Sequence, residues 1–184
     1  PADRREDQFA PAKIDILRGL VKGYRENKQA RQRFQERKTH YEEARRLLNK
    51  LIRRTKLEDR EIFDIYSKLV HTASGRLWWS TGMDRRMGIV RESPRTFRKL
   101  VQTLHKNISS APYEAFSRGF DIVEGRTGMG TNVLSEVLQT LSPYTHCIVN
   151  RVSVDTVSDL TGKYFGEASQ FDPYDYHVFQ ESLS

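Results

Sequence analysis

Apolar residues recur at helical spacing along the first third of the chain, with charged residues between them. The first stripe comprises Ile14, Leu17, Leu20, Val21 and Tyr24. The second begins after Asn27 and comprises Phe34, Tyr41, Ala44, Leu48, Leu51 and Ile52. Spacings of three and four residues are typical of amphipathic helices. The pattern therefore predicts helices from Pro11 to about Lys56, interrupted only by Gly19 and Gly23.

Further helices are indicated by capping signals along the rest of the chain. Thr55 and Glu58 have the spacing of a capping box, which predicts a helix that Gly75 ends. Ser93 and Pro94 open another helix, and Ser110 with Pro112 opens the next. Three more are predicted over 131–141, over about 152–160 and from 172 onward. No run of alternating residues indicates a sheet, so we expect an all-α fold.

Charge is segregated along the chain, and this points to a polyanionic partner. Residues 1–120 contain 28 Lys and Arg against 15 Asp and Glu, whereas residues 121–184 contain 3 against 9. A surface this basic favours nucleic acid. Membrane binding is disfavoured because acids interrupt the basic faces, and no apolar run is long enough to span a bilayer.

The single cysteine and the two ends of the chain indicate the redox compartment and the extent of the protein. Because Cys147 is the only cysteine, no internal disulfide can form, which fits a reducing, cytoplasmic location. Its apolar neighbours favour a buried side chain over a nucleophile. The chain begins at Pro1 without Met and ends in an apparently unfinished helix. We therefore expect it to be part of a larger protein.

The least regular part of the amino half combines adjacent tryptophans with arginines. Trp78 and Trp79 suit stacking on unpaired or extruded bases, although such a pair also commonly has one ring in the core and one at the surface. The arginines of this region and of the helix that follows are candidate phosphate ligands: Arg76, Arg85, Arg86, Arg91, Arg95 and Arg98.

A glycine-rich turn separates two predicted helices in the carboxyl half. Gly125 is placed to end the first helix in the left-handed conformation. Backbone N–H groups at the start of the second helix suit a phosphate oxygen, and a plain helical corner is the alternative. The turn predicts a phosphate site formed by Arg126, Gly128, Met129, Gly130 and Thr131.

The sequence from this turn to Arg151 resembles the helix-hairpin-helix motif of DNA glycosylases that act on damaged bases. The family's catalytic Asp, which follows a short apolar run, corresponds to Asn150 after Cys147-Ile148-Val149. The Schiff-base Lys of its bifunctional members corresponds to Asn132. A neutral amide supplies neither electrostatic stabilisation of a cation nor a nucleophilic amine. The resemblance therefore implies a DNA-binding frame without the catalytic groups.

A second resemblance covers about residues 95–184. The chain is similar to helical regions of McrB-like AAA+ restriction and defence proteins through Gly128-Met129-Gly130, Ser135–Leu138, Leu141–Tyr144 and Ile148–Asn150. The aromatic tail, with Tyr176 and Phe179, also matches. The domains expected are a basic helical extension over 1–92 and a helix-hairpin-helix-like domain over 93–184.

These observations favour a non-catalytic nucleic-acid recognition module of a larger defence protein, with DNA favoured over RNA. Asn150 is a candidate cap of the helix that follows it, or a ligand to a base edge. No metal or other cofactor is expected, because the five histidines are scattered and no Walker motif is present. Two alternatives remain: a divergent base-excision glycosylase, and a helical oligomerisation module that uses residues 11–57.

Overall fold

A computed structural model of the protein describes residues 11–71, 75–80, 83, 87–125 and 129–183. These residues form nine α-helices and no β-strand, which confirms the all-α prediction. The helices are α1 (Pro11–Glu26), α2 (Lys28–Arg53), α3 (Asp59–Val70), α4 (Met87–Glu92), α5 (Pro94–Lys106), α6 (Pro112–Val123), α7 (Thr131–Leu141), α8 (Arg151–Thr161) and α9 (Pro173–Glu181). A short 3-10 helix, Ala168–Gln170, precedes α9.

The long amino-terminal helical region divides at Asn27, which caps α2. Its side-chain oxygen accepts a hydrogen bond from the Ala30 backbone N–H at 3.1 Å. Gly19 and Gly23, the predicted interruptions, both lie inside α1. A glycine lowers helix stability without ending a helix, whereas an Asn that satisfies a free N–H starts a new one.

The predicted start of α3 is wrong by one turn. Glu58, not Thr55, occupies the N-cap position, and the Glu61 side chain accepts from the Glu58 backbone N–H at 2.9 Å. The helix ends at Val70 instead of Gly75. The predicted starts of α5 at Pro94 and of α9 after Asp172 are confirmed.

The hydrophobic core lies around α5, α6 and α7. The second half of α2 packs on α5 and α7, α3 packs on α5, and α9 packs on α6, so one cluster of buried residues runs across position 92. Gly119 allows a close approach of α6 to its neighbours, since a Cβ there would lie 2.6 Å from a methyl group of Leu104 and 2.8 Å from one of Leu134. The core thus holds α2 and α7 against each other.

The amino-terminal part of the fold is much less buried. We call residues 11–40, which comprise α1 and the first half of α2, the arm. All of the buried residues of α2 lie beyond the arm, between Ala44 and Leu51. Large apolar side chains of the arm remain about half-exposed. Within the described part of the chain, no helix combines the length and apolar character that crossing a bilayer requires.

Candidate nucleic-acid interface

The two adjacent tryptophans have opposite environments. Trp78 is fully buried, lies edge-on to Phe97, and donates its indole N–H to the Thr140 hydroxyl at 2.9 Å. Trp79 is 45% exposed. Of the two predicted stacking residues, only Trp79 therefore presents its ring to a ligand, while Trp78 anchors the segment to α7.

An arginine of α2 lies against the exposed ring. The Arg37 guanidinium carbon is 4.4 Å from the centroid of Trp79, within the range of a cation–π interaction. Arg37 also donates to the Tyr41 hydroxyl at 3.4 Å. The cation and the ring thus form one unit at the surface, which we call the Arg37–Trp79 stack.

The stack is supported by Glu136, a fully buried carboxylate of α7. Glu136 accepts from the Ser80 backbone N–H at 2.8 Å, from the Ser80 hydroxyl at 2.7 Å and from the Tyr41 hydroxyl at 3.0 Å. Burial, followed by the charge of Glu136, raises the pKa of Tyr41, so this phenol stays a protonated donor. Because Ser80 and Tyr41 flank the stack, Glu136 fixes both of its sides.

The same side of α2 carries a row of residues spaced by four, which we call the stripe: Arg33, Arg37, Tyr41 and Arg45. Each step of four turns about 40° around a helix, so the row stays on one side. The acids of this part of α2 fall more than about 100° from the centre of the stripe; they are Glu36, Glu42 and Glu43. Cationic side chains therefore dominate this side of α2.

The stripe leads toward the amino end of α7. Tyr41 of α2 contacts Glu136 of α7, and the Arg45 Nε donates to the Thr140 carbonyl at 2.9 Å. The second contact lies four residues after the first in both helices. The helices therefore run parallel, and one turn earlier this register brings Arg37 to the level of Asn132. The amide oxygen of Asn132 is buried and has no hydrogen-bond partner among the described residues.

The predicted hairpin site is only partly described. Gly125 has a φ of 68°, which confirms the left-handed end of α6, whereas Arg126 and Gly128 lie outside the described residues. Met129 is buried, and the Thr131 hydroxyl donates to the Phe171 carbonyl at 3.1 Å.

Gly130 is exposed and is the N-cap of α7, with extended backbone at a φ of −81°. A Cβ added there would meet no atom within 4 Å. The approach to the first N–H groups of α7 is thus open at this residue.

The predicted arginines of 76–98 are mostly engaged within the fold. Arg76 is half-buried, and Arg91 lies over the ring of Phe63 at 4.7 Å, while Arg85 and Arg86 lie outside the described residues. Arg95 forms an exposed ion pair with Asp59 at 2.7 Å. Arg98 donates to the carbonyls of Leu51, at 3.2 Å, and Arg54, and so caps the carboxyl end of α2.

Arg95 and Arg98 share a groove of about 780 Å³ between α5 and the α2–α3 connection. Lys56 and Lys99 also line this groove, together with Glu58 and Glu61. The acids and the internal pairing of both arginines reduce the attraction for phosphate. In the stripe, Arg37 and Arg45 also have partners within the fold, but no acid lies in the row.

Asn150 is the N-cap of α8, which confirms the predicted capping role. Its side-chain oxygen accepts from the Ser153 backbone N–H at 3.0 Å, and the Ser153 hydroxyl accepts from the Asn150 backbone N–H at 3.0 Å. The Asn150 amide nitrogen also donates to the Ser80 hydroxyl at 3.4 Å. Asn150 therefore joins the hydrogen-bond network around Glu136.

Two further potentially reactive groups lie beside α9, the buried His146 and the half-buried Cys147. Burial raises the pKa of the Cys147 thiol to about 12, so the thiol is protonated at neutral pH and is not a nucleophile. Burial lowers the pKa of His146 to about 4, and its Nδ1 lies 3.2 Å from the Tyr176 hydroxyl. Among the described residues, no group of three or more His, Cys, Asp or Glu could hold a metal ion.

The residues that build this site are largely ones that the sequence did not single out: Arg37, Tyr41, Ser80 and Glu136. A signal existed in α7, where Glu136 is the single charged residue. Comparison with protein-family models, with curated proteins and with solved structures found no match. The geometry of the site is therefore the basis of the functional argument.

Proposed function

We propose that the chain is a nucleic-acid-binding module that holds DNA across the stripe and stacks an unpaired base on Trp79. The observation that carries the proposal is the Arg37–Trp79 stack, in which Trp79 is exposed and Arg37 is half-buried, and whose two sides are held by hydrogen bonds to the buried Glu136. A rigid aromatic ring beside a cation is the common feature of surfaces that bind unpaired bases. A solvated surface tryptophan would not require a buried carboxylate to position it.

Phosphate binding would use the cations of the stripe. Arg33 is exposed, and Arg37, one helical turn later, is half-buried against Trp79. Beyond them, the start of α7, beside the exposed Gly130, lies at the positive end of the helix dipole and would supply N–H donors. These contacts are blind to sequence, so the expected preference among DNA sequences is modest.

The environments of Asn150 and Glu136 favour binding without catalysis. The Asn150 amide is committed to the cap of α8 and to Ser80. Glu136 is fully buried with three donors, which leaves it no access to a substrate. Release of damaged bases from duplex DNA by the purified chain would instead favour the glycosylase alternative.

The resemblance to McrB-like AAA+ proteins suggests the wider setting. In that setting, the chain would recognise DNA for a restriction or defence protein whose nucleotide-hydrolysing part lies elsewhere. Co-purification with such a subunit from the native host is the expected result if the setting is correct.

The test is a binding titration with single-stranded and duplex oligonucleotides. Trp79→Ala should weaken single-strand binding about 5- to 160-fold, since one base-stacking contact contributes about 1–3 kcal/mol. Trp79→Phe, which keeps an aromatic ring, should retain most of the affinity. Arg37→Ala should reduce the salt dependence of binding, and Lys163→Ala, which removes an exposed cation from the acidic carboxyl-terminal third of the chain, is its matched charge control. A Trp79→Ala protein that binds both oligonucleotides as tightly as the parent would refute the proposal.

A further inference from the structure

The arm carries an apolar groove that borders the stripe at Phe34. The groove measures about 640 Å³ and lies between α1 and the first half of α2. Its apolar lining consists of Leu20, Val21, Tyr24 and Phe34, and its polar edge consists of Arg25, Arg31 and Gln35. All four apolar side chains are about half-exposed. Apolar side chains do not bind phosphate, so the groove is not part of the phosphate surface proposed above.

The size of this surface is appropriate for a stable protein contact. Together with Ile16, which is also more than half-exposed, the lining leaves about 500 Å² of apolar surface on each copy of the chain. Two such surfaces facing each other bury about 1,000 Å² of apolar area, and their polar edges bring the total into the range of specific interfaces. The arm of each copy thus contributes about half of the interface area that a stable dimer requires.

We propose that the occupant of the groove is the arm of a second copy of this chain. Two helical hairpins that each expose one apolar side can cover both sides at once by packing as a four-helix bundle. A two-fold arrangement brings the same surface of both copies together, so the five apolar residues of each arm fill the groove of the other. The arm lies ahead of the buried half of α2, which leaves the core of each copy unchanged.

The charge of the arm determines how such a dimer responds to salt. The arm carries nine Lys and Arg against three Asp and Glu, a net charge of +6. Two arms therefore repel each other at low ionic strength, and salt screens this repulsion. The dimer should tighten as salt rises, whereas binding to DNA should weaken. This opposite response distinguishes self-association from bridging of two copies by DNA.

The experiment is sedimentation equilibrium of the full chain, free of nucleic acid, at about 50 and 500 mM salt, the two sides of the screening range. We expect a monomer–dimer equilibrium with a lower dissociation constant at the higher salt. Phe34→Glu and Leu20→Glu should each give monomers at both salt concentrations. Gln29→Glu is the matched control, because it adds the same charge to an exposed position of α2 on the side away from Phe34. It should leave the dimer intact.

Two results would overturn the inference. One is a parent chain that stays monomeric at about 100 μM in high salt. A dimer with a binding free energy of about 8 kcal/mol, which is a dissociation constant of about 1 μM, would be mostly formed at that concentration. The other is a dimer that persists in the Leu20→Glu variant or that dissociates as salt rises, because either result places the contact elsewhere. Circular dichroism of each variant establishes that the helices are retained. Leu20 lies on α1, away from the helix that carries the stripe, so DNA binding by the Leu20→Glu variant tests the proposed function separately.

Discussion

Glu136 is the residue that links the surface stack to the core. It has no exposure to solvent and accepts three hydrogen bonds from Ser80 and Tyr41, which lie on different elements. A buried carboxylate is stable only while its donors remain in place. Burying the Glu136 carboxylate costs folding free energy, which indicates that the position it gives to residues 78–80 is functionally important.

Glu136→Ala should lower the free energy of unfolding by about 3 kcal/mol, because it leaves the donors of Ser80 and Tyr41 buried without an acceptor. Glu136→Gln keeps one acceptor oxygen and should lose less. Urea denaturation of both variants measures the difference. Equal stability of Glu136→Ala and the parent would show that the network does not hold the fold.

Asn150 supplies a second test at the level of one residue. Asn150→Ala removes the side-chain acceptor for the Ser153 N–H and should cost about 1 kcal/mol. Asn150→Ser retains a capping oxygen and should recover most of that loss. Unchanged thermal stability of Asn150→Ala would instead favour a direct role in contacting a ligand.

His146 should make stability depend on pH. Burial lowers its pKa from 6.5 to about 4, so between these values the unfolded state binds more protons than the folded state. Stability from this group is therefore complete above pH 6.5 and falls as the pH drops toward 4, by at most about 1.4 kcal/mol per pH unit. The stability difference between the parent and His146→Gln, measured by denaturation from pH 4 to 7, should change with this slope. A constant difference would contradict the low pKa.

At the scale of elements, the amino end of α7 offers the clearest substitution. Gly130 has extended backbone with open space around its Cα, so Gly130→Val fits without strain and costs at most about 1 kcal/mol as a poorer cap. Its side chain would cover the adjacent N–H groups and weaken phosphate binding to a similar degree on every duplex. Circular dichroism beside the titration checks that the helices persist.

A folded Gly130→Val protein that binds DNA as tightly as the parent would exclude the amino end of α7 from the interface. The stripe on α2 would then be the sole remaining phosphate surface of the proposal. Loss of binding that differs strongly among duplexes would indicate contacts to base edges instead.

Elements whose signals are local were predictable from the sequence. The bounds of α7 and the Asp172 cap of α9 match the prediction, because their apolar spacing and capping residues lie within one or two turns. The start of α3 was wrong because two spacings, Thr55 with Glu58 and Glu58 with Glu61, compete, and backbone geometry selects the second. Helix α4 was missed, since six residues contain too little periodicity.

The site was much less predictable than the helices. Tyr41 and Glu136 are separated by 95 positions, and nothing in the local pattern pairs them. Trp78 and Trp79 differ because their neighbours in space differ, although their neighbours in sequence are shared. Arg98 has a structural role because it reaches the carboxyl end of α2, a contact that arises only once α5 packs on α2.

At the scale of the whole molecule, two surfaces on α2 are expected to respond to salt in opposite directions. The stripe should release DNA as salt rises, whereas the arms should associate more tightly. The acidic carboxyl-terminal third, with 9 Asp and Glu against 3 Lys and Arg, should repel DNA. The proposed binding surfaces accordingly lie in the basic part of the sequence.

The most direct test of the central claim is the affinity of the full chain for DNA over a range of salt concentrations. If four to six phosphates are neutralised, log K should fall with log salt at a slope of about −4 to −5. Arg37→Ala should reduce the magnitude of this slope by about 1, and Lys163→Ala should leave it unchanged. A slope near zero, or the absence of binding at low salt, would contradict the account.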